Sequence, residues 1–524
     1  MSEESKNHEQ KNKNGFNSYE EALAFLYKAI DYEKLISYQY NSSTFSLDRM
    51  VKMLEYVGNP HKAFPSIHIT GTKGKGSTAI MMSTILEHAG LTIGLFTSPH
   101  LIDLKERIQI NHQNITENDF TNVLSELRPY IQHLRDTTPS ASPTFFEILT
   151  AIAMRYFKKE HIEMAVLEVG LGGRLDSTNV VMPHVSIITN VGFDHTAILG
   201  NTLSSIAYEK AGIIKEGVPV VSAVEAPEAL SVIEKTCKEK NSRLYLLGRD
   251  IWVEEVQSIH ENKSALHRHN HRTILDFVVS AQSNDFGLRN ADLSLNPQVQ
   301  NPKSETRNRS TERSRRSPKS ERGLMCKIKT WRHTYPEIFL PLVGAHQAKN
   351  CALVLGALEI MREQGNISID DETIRNALAQ VHCPARVEVI GKNPLIIMDY
   401  AHTVDSMRFL RRSLLENFKF HKLILILGFA QDKDLDNILK EIVTVGDSII
   451  VTRSQNPRAA PPEDLSQRIE KLCGKRAEIT DNTQDAVTAA KRIASKEDLI
   501  CITGSAYVAG EAMQALDSSL VKTE

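Results

Sequence analysis

Residues 67–78 have the sequence IHITGTKGKGST. The β-branched residues Ile67 and Ile69 predict a buried strand, and the apolar residues that follow the segment predict a helix. Between them, closely spaced glycines let backbone N–H groups surround an anion, and the helix presents its positive N-terminal end to it. Lys75 can reach the terminal phosphates of a nucleoside triphosphate, with the Ser77 hydroxyl close by. The segment therefore predicts a phosphate-binding loop.

The composition is that of a globular protein. Of 524 residues, 41% are hydrophobic and 24% are charged, and the formal net charge of -2 gives no reason to expect a nucleic acid partner. No apolar run reaches membrane-spanning length, and the polar N-terminus lacks the apolar core of a signal peptide. Six scattered cysteines without a C-x-x-C pair favour a reduced, cytoplasmic location over a disulfide framework or a zinc site.

Strands and helices alternate along most of the chain, which predicts an α/β fold with a parallel sheet covered on both faces. A second series of strands follows residue 386. The predicted strands are Ile67–Thr70, Ile93–Thr97, Met164–Val169, Val185–Asn190, Val218–Ala223, Leu395–Asp399, Lys422–Gly428, Ser448–Thr452 and Leu499–Thr503.

Two segments interrupt this pattern. Residues 1–17 are polar and predict a disordered tail, and residues 282–323 are rich in Asn, Ser, Arg and Lys and predict a disordered insertion. The basic part of the insertion could touch RNA or anionic lipid, but a solvated loop is the simpler interpretation. The expected domains are therefore 18–382, which contains the insertion, and 386–524.

Several motifs together resemble the dihydrofolate synthase/folylpolyglutamate synthase family, the folate branch of the Mur ligase superfamily. The loop G-T-x-G-K-G-S/T resembles the superfamily as a whole, and the run from Glu168 to Asn179, EVGLGGRLDSTN, is much more specific. Further matching segments, in the same order and spacing, are TSPHL at 97–101, ERI at 106–108, DHT at 194–196 and EKAGIIK at 209–215.

The resemblance implies an N-terminal P-loop ATPase domain with a parallel-rich sheet and a C-terminal Rossmann-like α/β domain. It implies an ATP-dependent carbon–nitrogen ligase that adds L-glutamate to dihydropteroate, to folylpolyglutamates, or to both, through an acyl phosphate. The expected ligands are ATP, Mg²⁺, a pterin or folate and L-glutamate, and the expected state is a cytoplasmic monomer without nucleic acid or membrane partners. The chemistry is reasonable on its own, because a carboxylate becomes an acyl donor only when phosphate replaces its oxide leaving group.

The family's magnesium ligands match Ser98, Glu168 and His195. Ser98 and Glu168 lie at the carboxyl ends of predicted strands and His195 follows a third, and parallel strands end at one edge of a sheet, where ligands of open α/β sheets bind. Oxygen donors suit magnesium, which also keeps several waters. Lys210 matches a lysine that the family carbamylates with carbon dioxide. The catalytic residues expected from the resemblance are Lys75, His195 and Lys210.

Other positions match family residues that bind ATP or the pterin substrate. The guanidinium of Arg386 is always charged, and its N–H donors form a planar fork that suits a phosphate contact. The candidate ATP contacts are Gly74, Lys75, Gly76, Ser77, Asn350, Arg386, Asp399 and His402. The candidate substrate contacts are Thr144, Phe145, Phe146, Asp176 and Ser177.

The sequence departs from the family at residues 399–403, which are DYAHT. The folate branch more often has D-G-A-H-N, whereas D-Y-A-H-T resembles the branch that builds peptidoglycan peptides. A muramyl-peptide ligase is therefore an alternative, although residues 168–179 argue against it. A nucleotide-binding regulator that uses the phosphate loop as a switch is another, but it leaves Glu168, His195 and Lys210 unexplained.

Overall fold

The computed structural model describes residues 15–35, 45–259 and 322–520. The predicted tail at 1–17 and the predicted insertion at 282–323 therefore lie almost wholly outside the described residues. The predicted insertion overlaps a strand at its last residue. Gly323 is the first residue of a strand, because its backbone pairs with Ile259 in an antiparallel ladder.

The first sheet has eight strands in the order β4-β3-β2-β5-β1-β6-β7-β8. From β2 to β8 neighbouring strands are parallel, and β3 and β4 add an antiparallel edge. Every residue of β1 and β5 is buried, as expected for central strands covered by helices on both faces. The strands are β1 Ser66–Thr70, β2 Ile93–Phe96, β3 Ile108–Ile110, β4 Gln113–Asn114, β5 Met164–Glu168, β6 Val185–Ile188, β7 Val220–Ser222 and β8 Leu244–Leu246.

Helices cover both faces of this sheet. One face packs against α1, α2, α4 and α5, and the other packs against α3, α9 and α10 together with a three-stranded antiparallel sheet. That small sheet is formed by β9 Trp252–Ile259, β10 Gly323–Lys329 and β11 Thr334–Leu340. The helices are α1 Tyr19–Leu26, α2 Leu47–Tyr56, α3 Lys75–His88, α4 Glu117–Thr137, α5 Phe145–Lys159, α6 Thr196–Leu199, α7 Leu203–Ala211, α8 Pro227–Glu239, α9 His346–Glu363 and α10 Asp371–Leu378.

The second sheet is built entirely from residues after 387. Its order is β12-β13-β17-β14-β15-β16, parallel except for the edge pair β12–β13. Helices α11–α13 cover one face, and α14 and α15 cover the other. The elements are β12 Glu388–Lys392, β13 Leu395–Met398, α11 Val404–Asn417, β14 Leu423–Leu427, α12 Leu435–Ile442, β15 Ser448–Val451, α13 Pro462–Cys473, β16 Glu478–Ile479, α14 Thr483–Ile493, β17 Leu499–Thr503 and α15 Ala506–Leu520.

The predicted α/β class and all nine predicted strands are confirmed, within two residues at each end. The two halves also pack closely. Helix α15 meets the loop after β2 at Gly510, where a Cβ atom would collide with the Leu101 carbonyl oxygen. In the part of the chain that the structure describes, every helix is too short or too polar to cross a bilayer.

Candidate active site

The phosphate loop lies between β1 and α3, as the sequence predicts. Gly74 adopts φ +83°, and a Cβ atom there would lie 2.5 Å from Asn350 Oδ1, so both backbone and space require glycine. The loop is held from the other side by Asn190, whose side-chain oxygen accepts the N–H groups of Thr72 at 3.1 Å and Lys73 at 2.8 Å. These contacts present the first turn of α3 to the open edge of the sheet.

Glu168 and Ser98 meet at the carboxyl ends of the adjacent strands β5 and β2. The Glu168 carboxylate accepts the Ser98 backbone N–H at 3.2 Å and faces Gly76, where a Cβ atom would lie 3.4 Å from Glu168 Oε2. Burial raises the pKa of Glu168, against the opposing effect of Lys75 and the more distant Arg386. A buried carboxylate therefore lies directly beside the phosphate loop.

His195 follows β6 and begins the short helix α6. Its backbone N–H donates to Asp194 Oδ1 at 3.0 Å, which fixes the turn. Burial lowers the pKa of His195 to about 3, with Lys433, His402 and Lys73 acting in the same direction, so the ring is neutral at physiological pH. A neutral imidazole can offer a lone pair to a cation.

Asp194 joins the phosphate loop to the second sheet. Its carboxylate binds Lys73 Nζ at 2.9 Å and Lys433 Nζ at 3.1 Å. Lys73 also donates to His402 Nε2 at 3.1 Å, and His402 Nδ1–H donates to the Tyr400 carbonyl at 2.9 Å. Although burial opposes it, Lys73 and the other cations hold the pKa of Asp194 well below its usual range. Sequence reasoning assigned no role to Lys73, Asp194 or Lys433.

Lys210 lies at the end of α7 and is 3% exposed. Burial lowers its pKa to about 7, and the nearby cations Lys75 and Lys73 act in the same direction. Among the described residues its ammonium group forms no ion pair, although it lines the same cavity as the phosphate loop. Lys210 is therefore an amine that is partly neutral near pH 7 and points into the site.

Arg386 and Tyr400 form a stacked pair at the start of the second domain. The guanidinium carbon lies 3.8 Å from the centroid of the Tyr400 ring, and both side chains line the cavity. Asp399, which precedes Tyr400, is buried and uses its carboxylate oxygens to accept the N–H groups of Val387 at 3.0 Å and Ala401 at 2.7 Å. These two hydrogen bonds hold the turn at residues 399–401 in place.

The candidate substrate residues divide into two sets. Thr144 and Phe146 line the cavity at the start of α5, whereas Phe145 is 2% exposed and packs in the core against Tyr27. Asp176 and Ser177 also reach the cavity, but their polar atoms are largely occupied. The Asp176 carboxylate accepts four hydrogen bonds, from the backbone N–H groups of Gly170, Leu171 and Thr178 and from the Thr178 hydroxyl. The Ser177 hydroxyl shares a hydrogen bond with the Thr150 hydroxyl.

One cavity of about 300 Å³ collects most of the predicted site residues between the two sheets. Among the candidates, Ser77, Asn350, Asp399 and Phe145 do not line it. The cavity is also lined by the segment Ile30–Leu35 and by Arg458, which sequence reasoning missed. Arg458 Nη1 donates to the Glu33 carbonyl at 2.8 Å, which ties that segment to the second half of the chain. A local sequence pattern carries no sign of such a long-range contact.

The comparisons with known proteins agree with this geometry. Residues 69–292 match the Mur ligase middle domain, and residues 385–506 match the glutamate ligase domain of Mur ligases. The dihydrofolate synthase/folylpolyglutamate synthase of Bacillus subtilis is 31% identical over 467 residues, which cover 88% of this chain and 92% of that protein.

Two solved structures have the same fold. The folylpolyglutamate synthase of Thermotoga maritima aligns with a TM-score of 0.73 at 29% identity, covering 96% of this chain and 97% of that one. The folylpolyglutamate synthase of Mycobacterium tuberculosis complexed with ADP aligns with a TM-score of 0.75 at 26% identity, covering 94% and 98%. With the phosphate loop, the EVGLGGRLDSTN run and both Mur ligase domains in place, this chain is a member of the dihydrofolate synthase/folylpolyglutamate synthase family.

Proposed function

We propose that the protein is an ATP-dependent ligase that adds L-glutamate to dihydropteroate, to folylpolyglutamates, or to both. ATP phosphorylates a carboxylate of the pterin substrate, and the glutamate amine displaces phosphate from the acyl phosphate. The products are an amide, ADP, phosphate and a proton. The observation that carries this proposal is the convergence of the phosphate loop, Glu168, Lys210 and Arg386 on one cavity between the two sheets.

The nucleotide is assigned to the phosphate loop. Backbone N–H groups at Gly74, Lys75 and Gly76 would surround the phosphates, and the Lys75 ammonium would reach their terminal oxygens. Arg386 would approach the same phosphates from the second domain. The proposed ATP site is completed by Ser77, Asn350, Asp399 and His402. Asn350 would shape the site by packing against Gly74, and Asp399 would shape it by holding the turn at residues 399–401.

Ser98, Glu168 and His195 are proposed to hold Mg²⁺; the oxygen donors of Ser98 and Glu168 fit the ion, whereas the imidazole of His195 is an uncommon magnesium ligand. The Glu168 carboxylate is buried, accepts the Ser98 N–H, and lies beside the loop where phosphate oxygens would also be available. Among the described residues, no three His, Cys, Asp or Glu side chains form a metal-binding group, so water and phosphate oxygens would have to supply the rest of the coordination. When bound, the ion would neutralise phosphate charge during transfer.

Lys210 is proposed to react with carbon dioxide. The neutral amine attacks the carbon of CO₂, a C–N bond forms, one proton is released, and the side chain becomes an anionic carbamate. This step requires a neutral amine, and burial supplies one by lowering the pKa of Lys210 to about 7.

The substrates are proposed to occupy the two walls of the cavity. Thr144, Phe146, Asp176 and Ser177 would face the pterin. Phe145 would act only through packing, because it is in the core. The glutamate amine would reach the acyl carbon from the second domain, where Lys433, which also pairs with Asp194, would meet a carboxylate of the incoming amino acid.

We also propose the domain limits 18–382 and 386–524, a monomeric state and a cytoplasmic location, without a nucleic acid or membrane partner. These assignments rest on the family resemblance, on the composition and on the position of the second sheet after residue 387.

The test is ADP release from the purified protein with Mg²⁺, ATP and L-glutamate, adding dihydropteroate or tetrahydrofolate in turn. Turnover with dihydropteroate alone identifies a dihydrofolate synthase, and turnover with both identifies a bifunctional enzyme. Absence of turnover with either pterin refutes the proposal, and a UDP-muramyl peptide precursor is then the next substrate to test.

A further inference from the structure

Tyr400 occupies the position at which the chain departs from the D-G-A-H-N pattern. Its ring lies against the guanidinium of Arg386, with 3.8 Å between the ring centroid and the guanidinium carbon. The Tyr400 backbone has a separate task, because its carbonyl accepts a hydrogen bond from His402. A substitution at this position therefore removes the ring without removing the contact to His402.

Arg386 has no hydrogen bond or ion pair with any residue that the structure describes. The two carboxylates that act electrostatically on Arg386 are engaged elsewhere. Asp399 accepts two backbone N–H groups, and Glu168 accepts the N–H of Ser98. The contact that orients the guanidinium is thus the face of an aromatic ring.

This distinction matters because a guanidinium has a face and an edge. A carboxylate partner would occupy two of its five N–H donors and cancel its charge, whereas a ring touches the face and leaves the donors and the charge available. We propose that Tyr400 is a positioning residue that holds Arg386 by cation–π stacking, with its donor edge free to bind the phosphates of the nucleotide. The inference rests on the proposed function, because it takes the ligand of Arg386 to be a nucleoside triphosphate.

The experiment measures the affinity of the intact protein for the ATP analogue AMPPCP by calorimetry with Mg²⁺ present. Tyr400→Phe keeps the π face and should bind like the wild type. Tyr400→Leu and Tyr400→Met both lose the face, the second with a side chain of similar reach, and should bind about 3- to 30-fold more weakly. Having two such variants guards against one that folds poorly, and thermal unfolding checks each of them.

A double-mutant cycle separates positioning from a structural role. In an Arg386→Ala background, Tyr400→Leu should cause no further loss of affinity, because the residue that it positions is absent. Tyr208→Leu is the matched control. Tyr208 also stacks on an arginine, Arg174, at 5.3 Å, but it does not line the cavity, so its loss should leave the affinity unchanged.

Two outcomes overturn the inference. One is Tyr400→Leu and Tyr400→Met binding like the wild type, and the other is a loss that persists at full size in the Arg386→Ala background. Failure of the proposed function is read separately in the ADP-release assay: no turnover with either pterin, while the wild-type protein binds AMPPCP, refutes the pterin substrate and leaves the inference standing, whereas a wild-type protein that binds no AMPPCP removes both.

Discussion

The lowered pKa of Lys210 leads to a quantitative prediction about carbamate formation. With a pKa of about 7, the amine is about 90% neutral at pH 8. A lysine at the ordinary value of 10.5 would be about 0.3% neutral at the same pH. Since only the neutral amine attacks CO₂, Lys210 should react with an advantage of about 300-fold over an exposed lysine through this effect alone.

The assay is ¹³C NMR of the protein equilibrated with ¹³C-labelled CO₂ between pH 5.5 and 9. Dissolved CO₂ is held constant rather than total carbonate, because bicarbonate does not react. A carbamate signal should increase with pH, most steeply below pH 7, where the amine is protonated, and less steeply above it, where each carbamate formed still releases one proton. The signal should be absent from Lys210→Arg, which keeps the positive charge but cannot form the carbamate.

Lys215 provides a matched control for burial alone. Burial also lowers its pKa, to about 8, but its ammonium donates to the Asn179 carbonyl at 2.8 Å and does not line the cavity. Lys215→Arg should therefore leave the carbamate signal intact. A signal that survives Lys210→Arg, or one that keeps the steep dependence of a protonated amine up to pH 9, would refute the reasoning.

Four further predictions concern the phosphate loop, Asp194 and the insertion. Lys75→Ala should abolish ADP release while circular dichroism and thermal unfolding stay unchanged; retained turnover would remove its role. Gly74→Ala should weaken AMPPCP binding at least tenfold, because the new Cβ meets Asn350 Oδ1 at 2.5 Å and φ is +83°. Asp194→Asn should lower the free energy of unfolding by about 2–4 kcal/mol, because two partly buried lysines lose their counter-charge. Folding lowers the pKa of Asp194, so its contribution to the free energy of unfolding is complete above pH 3.8 and is lost as the pH falls further. Denaturant titrations that show the same pH dependence of stability in the wild type and in Asp194→Asn would contradict this. Deleting residues 282–320 should leave kcat nearly unchanged, because Ile259 and Gly323 pair directly at the ends of adjacent strands, and a large loss would show that the insertion takes part in function.

The sequence predicted the centres of the two parallel-rich sheets, and it missed their edges and the whole three-stranded antiparallel sheet. Central strands such as β5 are continuous apolar runs buried on both faces, and such runs are recognisable without knowledge of the neighbours. The strands β3, β4 and β16 have two or three residues each, too few for a periodicity. Strand β9 is eight residues long but half exposed, so its apolar positions are diluted by residues such as Glu254 and Glu255.

The candidate site was predictable where the family resemblance and the place of a residue at the end of a strand agree. Ser98, Glu168 and His195 were assigned from the resemblance, their positions at strand ends supported the assignment, and all three line one cavity. The residues that sequence reasoning missed act through distant partners. Lys73 and Asp194 are 121 positions apart, and Lys433 and Asp194 are 239 apart, so no local pattern links them.

The charges around the cavity give a physical reason for modifying Lys210. As an ammonium, Lys210 would be a buried cation without an ion-pair partner among the described residues, and Lys75 and Lys73 both lower its pKa because they repel that charge. Asp194 relieves this repulsion only in part, because it is already bound to Lys73 and Lys433, and the pKa of Lys210 stays below its ordinary value. A carbamate at Lys210 would carry a negative charge, so Lys75 and Lys73 would attract this side chain instead of repelling it. We therefore expect the cluster to favour the proposed carbamate before any nucleotide arrives, and Lys75→Met should shift carbamate formation to higher pH because it removes the strongest of the repelling charges.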